Sequence, residues 1–402
     1  MNPPPHSAAR LGALVFALGF VSQLPITIFL PAVPQMADRL GVSVADIQLI
    51  VPAYLGAFAV AQLAAGPISD ATGRRGVSLA GLLLFTLASV ACALADSLPL
   101  LIAARALQAV GACVAIVVGR AIVRDTLHGL AAARAMAWIA ISMGVGPSLA
   151  PFVGGYLTAW FDWRATFLAT GFCGAILLLI SFVMLPETLP AAARQITRMA
   201  TLLHSYLRIA GNRTFLRYTL TVSCISSSFN VFLVGAPVVV VGQMGVSPEE
   251  FGFLVMLVPV TFMAGSYLSN RLALHVSIDR IVFVAALTAI SGGLWLIAQA
   301  LTGTATAYLL FAAVMLFNGG NGVLFPLCYG QALNTVPPAL AGSASAFAGF
   351  IHMTWGFTVA LLTTAVPQSG TGPMGIMMTL SMMAGFLAFV LLARRGRGGA
   401  DA

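Results

Sequence analysis

Nineteen arginines, eleven carboxylates and five histidines carry the ionisable chemistry of this 402-residue chain, and no lysine accompanies them. Their placement says more than their number. Arg105 opens the segment Arg105-Ala-Leu-Gln-Ala-Val-Gly111, inside a long apolar run. A guanidinium several residues inside a membrane helix costs roughly 2.5–3.5 kcal/mol on insertion scales. Such a group faces a cavity or a partner, or it snorkels outward from near a helix end. Asp70, Arg74 and Arg75 are closely spaced in Gly66-Pro-Ile-Ser-Asp-Ala-Thr-Gly-Arg-Arg75. There the acid can pair with a neighbouring arginine or sit at a helix N-terminus, and the glycines permit a tight turn. His352 lies in the middle of another apolar run. An imidazole with an unperturbed pKa of about 6.5 suits proton exchange near neutrality. The competing reading is a neutral histidine hydrogen-bonded inside a helix bundle. Asp46 is a second candidate for proton chemistry, while His6, His128, His204 and His275 fall in polar segments and read as solvated. The chain shows no clustered His/Glu/Asp constellation, phosphate-binding loop or nucleophile elbow, so an embedded enzyme lacks its signature. No metal or cofactor is expected.

The elements that must hold these residues are set by composition. Hydrophobic residues make up 60% of the chain and charged residues 7%. A soluble domain carries roughly 25% charged residues. These proportions exclude a water-soluble enzyme, a nucleic-acid binder and a disordered chain. Long unbroken runs such as Val77–Ala95 and Thr170–Leu185 exclude a membrane β-barrel, whose strands are short and alternate. The expected fold is an all-α membrane protein. Apolar runs fall near 11–33, 46–66, 76–95, 98–120, 136–159, 164–185, 216–241, 248–269, 280–301, 305–329, 337–362 and 374–393, which predicts twelve transmembrane helices. The first run is read as a retained helix and not as a signal peptide. Cys92, Cys113, Cys173, Cys224 and Cys328 all lie in apolar runs and read as small core residues.

Arginine sets the orientation. With the N-terminus inside, fifteen arginines fall in inner segments, and only Arg39 and Arg164 lie in outer loops. Arg105 and Arg120 belong to the fourth run. The net charge of +8 is therefore a positive-inside signal, and both termini are expected in the cytoplasm. The longest polar gap divides the chain into a six-helix bundle over 1–190, a basic cytoplasmic linker over 191–214 and a second six-helix bundle over 215–402. The linker could include a short amphipathic surface helix within Ala191–Asn212. Two equal halves suggest a duplication, with a substrate site between them near the midplane.

The fifth run carries Gly146-Pro-Ser-Leu-Ala-Pro151-Phe-Val-Gly154-Gly155, a pattern for close helix approach and kinking. Polar and aromatic residues inside other runs qualify either as a cavity lining or as interhelical packing: Gln23, Thr27, Tyr54, Gln108, Phe229, Asn230, Phe232, Asn318, Asn321 and Trp355. Gly319, Gly320 and Gly322 either loosen the tenth run or let it pack closely.

The Gly66–Arg75 spacing resembles the signature loop of the major facilitator superfamily. The Arg105 segment resembles that superfamily's fourth-helix motif, whose arginine is linked to proton coupling. The Gly146–Gly155 segment resembles its antiporter motif, with Ala150 in place of a glycine. Leu30-Pro-Ala-Val-Pro34, Val123-Arg-Asp125, Trp163-Arg164, Leu185-Pro-Glu-Thr-Leu189 and Ala341-Gly-Ser-Ala-Ser345 add to the likeness. Together they resemble the Bcr/CflA group of multidrug exporters, which includes chloramphenicol and bicyclomycin resistance proteins. The resemblance covers nearly the whole chain, and the stretch near Ser269-Asn-Arg271 is a degenerate second copy of the signature.

The resemblance implies a monomeric multi-pass exporter in the bacterial inner membrane. It would exchange small, largely apolar drugs for protons by alternating access. Arg105 would sense the cavity's charge state, and Asp70 with its loop would lock one state. One departure bears on coupling: the first run reads Thr27-Ile-Phe-Leu-Pro31, with Thr27 where that group usually has an aspartate. No carboxylate lies in the middle of any run. A dedicated exporter of one siderophore-like or peptide metabolite, not necessarily coupled to protons, is the alternative. An uptake symporter comes third.

Overall fold

The computed structural model describes residues 5–127, 129–190, 192, 194, 199–337 and 340–394. The side chains of His6, Arg10, His128, Arg198, Arg394, Arg395 and Arg397, which the orientation and solvation readings used, lie outside the described set. The chain divides into two compact units, Met1–Arg198 and Met199–Ala402.

The first unit runs α1 (Pro5–Thr27), α2 (Val33–Leu40), α3 (Val44–Ile47), α4 (Ile50–Thr72), α5 (Arg74–Ala93), α6 (Leu98–Thr126), α7 (Gly129–Trp160) and α8 (Trp163–Met184). Helices are the natural outcome for such runs, because a helix satisfies its backbone groups within one segment. Sequence punctuation sets the breaks. Pro31 and Pro34 accompany a 3₁₀ turn, Leu30–Ala32, between α1 and α2. Gly41 ends α2 in the left-handed region at φ 63°. Gly73, at φ 108°, lets α5 start immediately after α4. In the packing, α6 contacts α1, α4 and α5, while α7 lies on α1 and α8 on α5.

The second unit runs α9 (Met199–Ala210), α10 (Arg213–Ser226), α11 (Ser228–Ala236), a π-helical stretch Pro237–Gln243, α12 (Pro248–Leu272), α13 (Ile278–Thr302), α14 (Ala307–Asn334), α15 (Ala341–Thr364) and α16 (Thr371–Arg394). Helix α14 packs on α12 and α13, and α16 packs on α10 and α13. The predicted continuous run 216–241 is interrupted at Ser227. Three consecutive serines bond away from a plain helical ladder there. Ser226 reaches Asn321, Ser227 reaches the His352 carbonyl, and Ser228 reaches the Cys224 and Met378 carbonyls. Pro237, which lacks an N–H, then opens the π-helical stretch.

Eleven helical spans among the described residues are long and apolar enough to cross a membrane. The remaining predicted run falls in α7, several of whose side chains lie outside the described set, so the expected count of twelve stands at eleven. The linker helix is present as α9, with Leu203 and Leu207 exposed and Tyr206 stacked on Phe347 at 5.6 Å.

One bond recurs in both units. Ser69 Oγ donates to the Gly66 carbonyl at 2.8 Å, and Ser269 Oγ donates to the Ser266 carbonyl at 2.9 Å. Both serines are fully buried, near the ends of α4 and α12.

Candidate functional site

Arg105 does not snorkel. Its side chain is buried, with 1% of the residue exposed. The guanidinium carbon sits 4.4 Å from the Tyr54 ring centre, 4.7 Å from Phe29 and 5.9 Å from Phe167. Aromatic faces stabilise a cation, by about 2 kcal/mol or more when water is excluded. The Nη1 group donates to the Pro25 carbonyl at 2.9 Å and to Gln108 Oε1 at 2.7 Å. Gln108 Nε2 donates in turn to Ser89 Oγ at 2.8 Å, and Ser89 donates to the Phe85 carbonyl. The position of Pro25 explains the free acceptor: it lies in the last turn of α1, where carbonyls have no partner within the helix. Among the described residues no carboxylate pairs with Arg105, and its Nε has no hydrogen-bond partner. The result is an enclosed cation held by ring faces and dipoles contributed by α1, α4, α5, α6 and α8.

Tyr54, a candidate cavity wall by residue type, instead forms one face of this cage. Phe29, Phe167 and Ser89 complete the surroundings without any signal in the sequence. They sit on separate elements, and no local pattern marks them.

A second cluster gathers around Arg74. Its Nη1 lies 2.5 Å from Asp70 and donates to Ser69 Oγ at 2.7 Å. Its Nε donates to Asp125 at 2.8 Å. Glu187 accepts from the backbone N–H groups of Arg74 and Leu189 at 2.9 and 3.0 Å, and lies 3.8 Å from Arg194. Burial acts against ionisation of Glu187, but those N–H groups, that of Arg75 and the Arg194 charge outweigh it and hold its carboxyl below the usual range. Arg75 Nη2 donates to the Phe182 carbonyl at 2.9 Å, with its guanidinium 5.6 Å from the Phe182 ring centre. Gly73 is favoured by its φ of 108°, and a Cβ there would also displace the Glu187 carboxylate. This network ties the α4–α5 turn to the ends of α6 and α8. Asp125 and Glu187 stand in motifs that carry the family likeness, but nothing in those motifs signals their convergence on Arg74.

The Gly146–Gly155 segment does what small residues permit. A Cβ at Gly154 would collide with the Ile28 carbonyl, and one at Gly146 would press on Gln23. Pro151 and Gly155 are buried, and Ala150 packs with Leu24 and Ile28. Thr27 is buried and donates to the Pro147 carbonyl at 3.4 Å. Gln23 and Thr27 thus belong to the seam of α1 and α7.

Most of the polar candidates in the second unit serve as interhelical clamps. Asn318 donates to the Val258 carbonyl at 2.9 Å, and Ser226 donates to Asn321 at 2.5 Å. Trp355 Nε1 donates to Ser381 Oγ at 3.0 Å, which donates on to the Cys224 carbonyl. Asn230 bonds back to the Ser227 carbonyl. Phe232 is fully buried between Phe229 and Phe311, and Phe229 is half-buried. Two glycines of α14, Gly320 and Gly322, allow close packing. A Cβ at Gly320 would meet Ala285 and Ala289, and one at Gly322 would meet Phe262. His352 is half-buried, lies edge-on to Phe325 and has an enclosed Nδ1 without a hydrogen-bond partner. Asp46 acts locally. It forms a capping box with Ser43 at the start of α3 and is exposed.

All of the described carboxylates lie at helix ends or in loops. A model of the Major Facilitator Superfamily matches residues 15–361. The chain belongs to that superfamily. As a member it is a multi-pass membrane transporter of small molecules and not an enzyme. It is 32% identical to multidrug resistance protein D of Escherichia coli K12, over 93% of each chain. It is 25% identical to the bicyclomycin resistance protein homologue of Haemophilus influenzae, over 95% of this chain and 96% of the relative. The fold agrees with the crystal structure of a D-xylose–proton symporter at a TM-score of 0.78 and 15% identity, over 92% of this chain and 95% of that one.

Proposed function

We propose that the chain exports small, largely apolar drugs across the bacterial inner membrane in exchange for protons. The observation that carries this reading is the 32% identity, over nearly the full length, to a multidrug resistance protein. The aromatic cage of Arg105 supports it. A buried cation without a counter-ion is sensitive to any proton or substrate charge that arrives nearby, because low dielectric strengthens the interaction. In this reading the chain works as a monomer with both termini cytoplasmic, as the arginine bias favours. Transport proceeds by alternating access, and a modest energy gap between the states lets substrate and proton shift the population. Arg74, Arg75, Asp70, Asp125 and Glu187 form the lock of one state, and His352 carries the proton.

Drug susceptibility tests this reading. Expressed in a pump-deficient bacterium, the chain should raise the inhibitory concentration of a phenicol or bicyclomycin several-fold, and Arg105→Ala should return it to baseline. Equal susceptibility with and without the chain across both drugs counts against the reading.

The second reading is a dedicated exporter of one metabolite that is not driven by protons. One observation favours it: Thr27, where the related exporters usually have an acid, is buried and occupied with the Pro147 carbonyl.

A further inference from the structure

Helices α12 and α13 flank α14 and leave between them a groove of about 660 Å³. Glycines shape it. A Cβ at Gly265 would strike the Gly319 carbonyl, and Gly320 fits against Ala285 and Ala289, so both flanking helices sit tightly on α14. Gly319 itself faces open space, with nothing within 4 Å of the place a Cβ would take, and it forms the groove floor. Leu268, Val284 and Leu316 line the walls and are 48%, 56% and 39% exposed. The two wall hydroxyls are satisfied inside their own helices: Thr261 donates to the Val258 carbonyl and Thr288 to the Val284 carbonyl.

One charged residue, Arg280, lines this groove among the described residues. It lies in the first turn of α13 and is exposed. Its neighbour Asp279 does not neutralise it. Asp279 is engaged by Arg217 at 3.1 Å and by the Tyr218 hydroxyl at 2.6 Å. Arg280 takes part in no ion pair among the described residues. From Arg280 to Thr288, the groove wall on α13 extends about 12 Å at about 1.5 Å per residue. One leaflet of a bilayer's hydrocarbon core is about 15 Å deep. The groove wall is thus slightly shorter than one leaflet is deep, with the cation in the first turn of α13, where that span begins.

We propose that this groove binds one anionic phospholipid, with an acyl chain along Gly319 and the phosphate on Arg280. An apolar trough without a cation would hold any lipid equally. The placement of Arg280 makes the site selective for negative headgroups, because a juxtamembrane arginine favours an anionic lipid by about fivefold in affinity. The assignment uses only the second unit and is independent of what the chain transports.

Native mass spectrometry of the purified full chain in mild detergent tests it. The probes are phosphatidylglycerol and phosphatidylethanolamine with identical acyl chains. Wild type should retain one phosphatidylglycerol about fivefold more tightly than phosphatidylethanolamine. Arg280→Gln should abolish that preference. Gly319→Leu, whose side chain enters open groove and not protein, should weaken retention of both lipids; Val284→Trp fills the groove from its wall and is the second variant should the first not fold. Equal binding of the two lipids by wild type, an unchanged preference in Arg280→Gln, or undiminished retention in a folded groove-filled variant each overturns the assignment.

Discussion

Arg105 and Gln108 lie one helical turn apart on α6, and the guanidinium Nη1 donates to Gln108 Oε1 at 2.7 Å. The amide then has its Nε2 directed at Ser89 on α5. Gln108 is therefore a positioning residue: it fixes the arginine against Tyr54 and Phe29 and brings no charge of its own. This pair shows how the first unit holds a cation without a carboxylate.

The pair makes opposite demands on stability and function. Removing a buried charge that lacks a counter-ion relieves a desolvation cost, which offsets the lost hydrogen bonds to the Pro25 carbonyl and Gln108. Arg105→Met should therefore keep a melting temperature within about 4 °C of wild type, or higher, since about 1 kcal/mol moves the midpoint of a large domain by ~2–4 °C. Active transport should be lost in the same variant. Thermal unfolding in detergent and vesicle flux, run in parallel, check the two halves of this expectation.

The glycines of the first unit are not equivalent. Gly154→Val places atoms on the Ile28 carbonyl and should cost about 1–3 kcal/mol or more through overpacking. Gly66→Ala meets nothing within 4 Å and lies inside α4, where alanine gains about 0.5–1 kcal/mol over glycine. Thermal unfolding should rank the three proteins Gly66→Ala, wild type, Gly154→Val, from most to least stable.

Glu187 gives the Arg74 network a pH dependence with a definite sign. Its folded pKa is held below the ordinary carboxylate range, so its contribution is fully present above the unfolded value of about 4.3 and is lost as pH falls through the lower folded value. Glu187→Gln should leave the protein less stable at pH 7, and the difference from wild type should vanish in acid. A denaturation midpoint followed from pH 7 downward reads this directly. A constant difference at all pH values would remove Glu187 from the network's energetics.

His352 should set the pH profile of transport if it carries the proton. His352→Ala should alter the pH dependence of the transport rate, measured in vesicles across a pH series. His352→Ala with an unshifted profile would leave the histidine as a packing partner of Phe325.

The legible part of this molecule is the part written in local pattern. Apolar runs mark the helices, and Arg105 stands out because a charge in such a run demands an explanation. The Gly146–Gly155 spacing foretells a close helix seam. The illegible part arrives from across the fold. Phe29 and Phe167 reach Arg105, and Ser89 reaches its partner Gln108, from three other segments, and nothing in their immediate neighbours distinguishes them from core residues. Asp125 and Glu187 lie 51 and 113 residues from Arg74. Asn318, Asn321 and Trp355 are equally suited to a cavity or a clamp by residue type, and their hydrogen-bond partners on α10, α12 and α16 are not visible in local pattern. Phe232 is packed by Phe229 and Phe311, contacts that no local pattern announces. The break at Ser227 is hidden because serines sit quietly in apolar runs until their hydroxyls find carbonyls on other helices.

The central claim is drug–proton exchange through this chain, and inside-out membrane vesicles with a pH-sensitive dye test it most directly. The vesicle interior is acidified, and a phenicol is then added. Exchange predicts a leak of protons on addition, absent from vesicles without the protein and absent from Arg105→Ala vesicles that contain equal amounts of inserted chain. A phenicol flux that persists with no proton movement and survives a protonophore would contradict it.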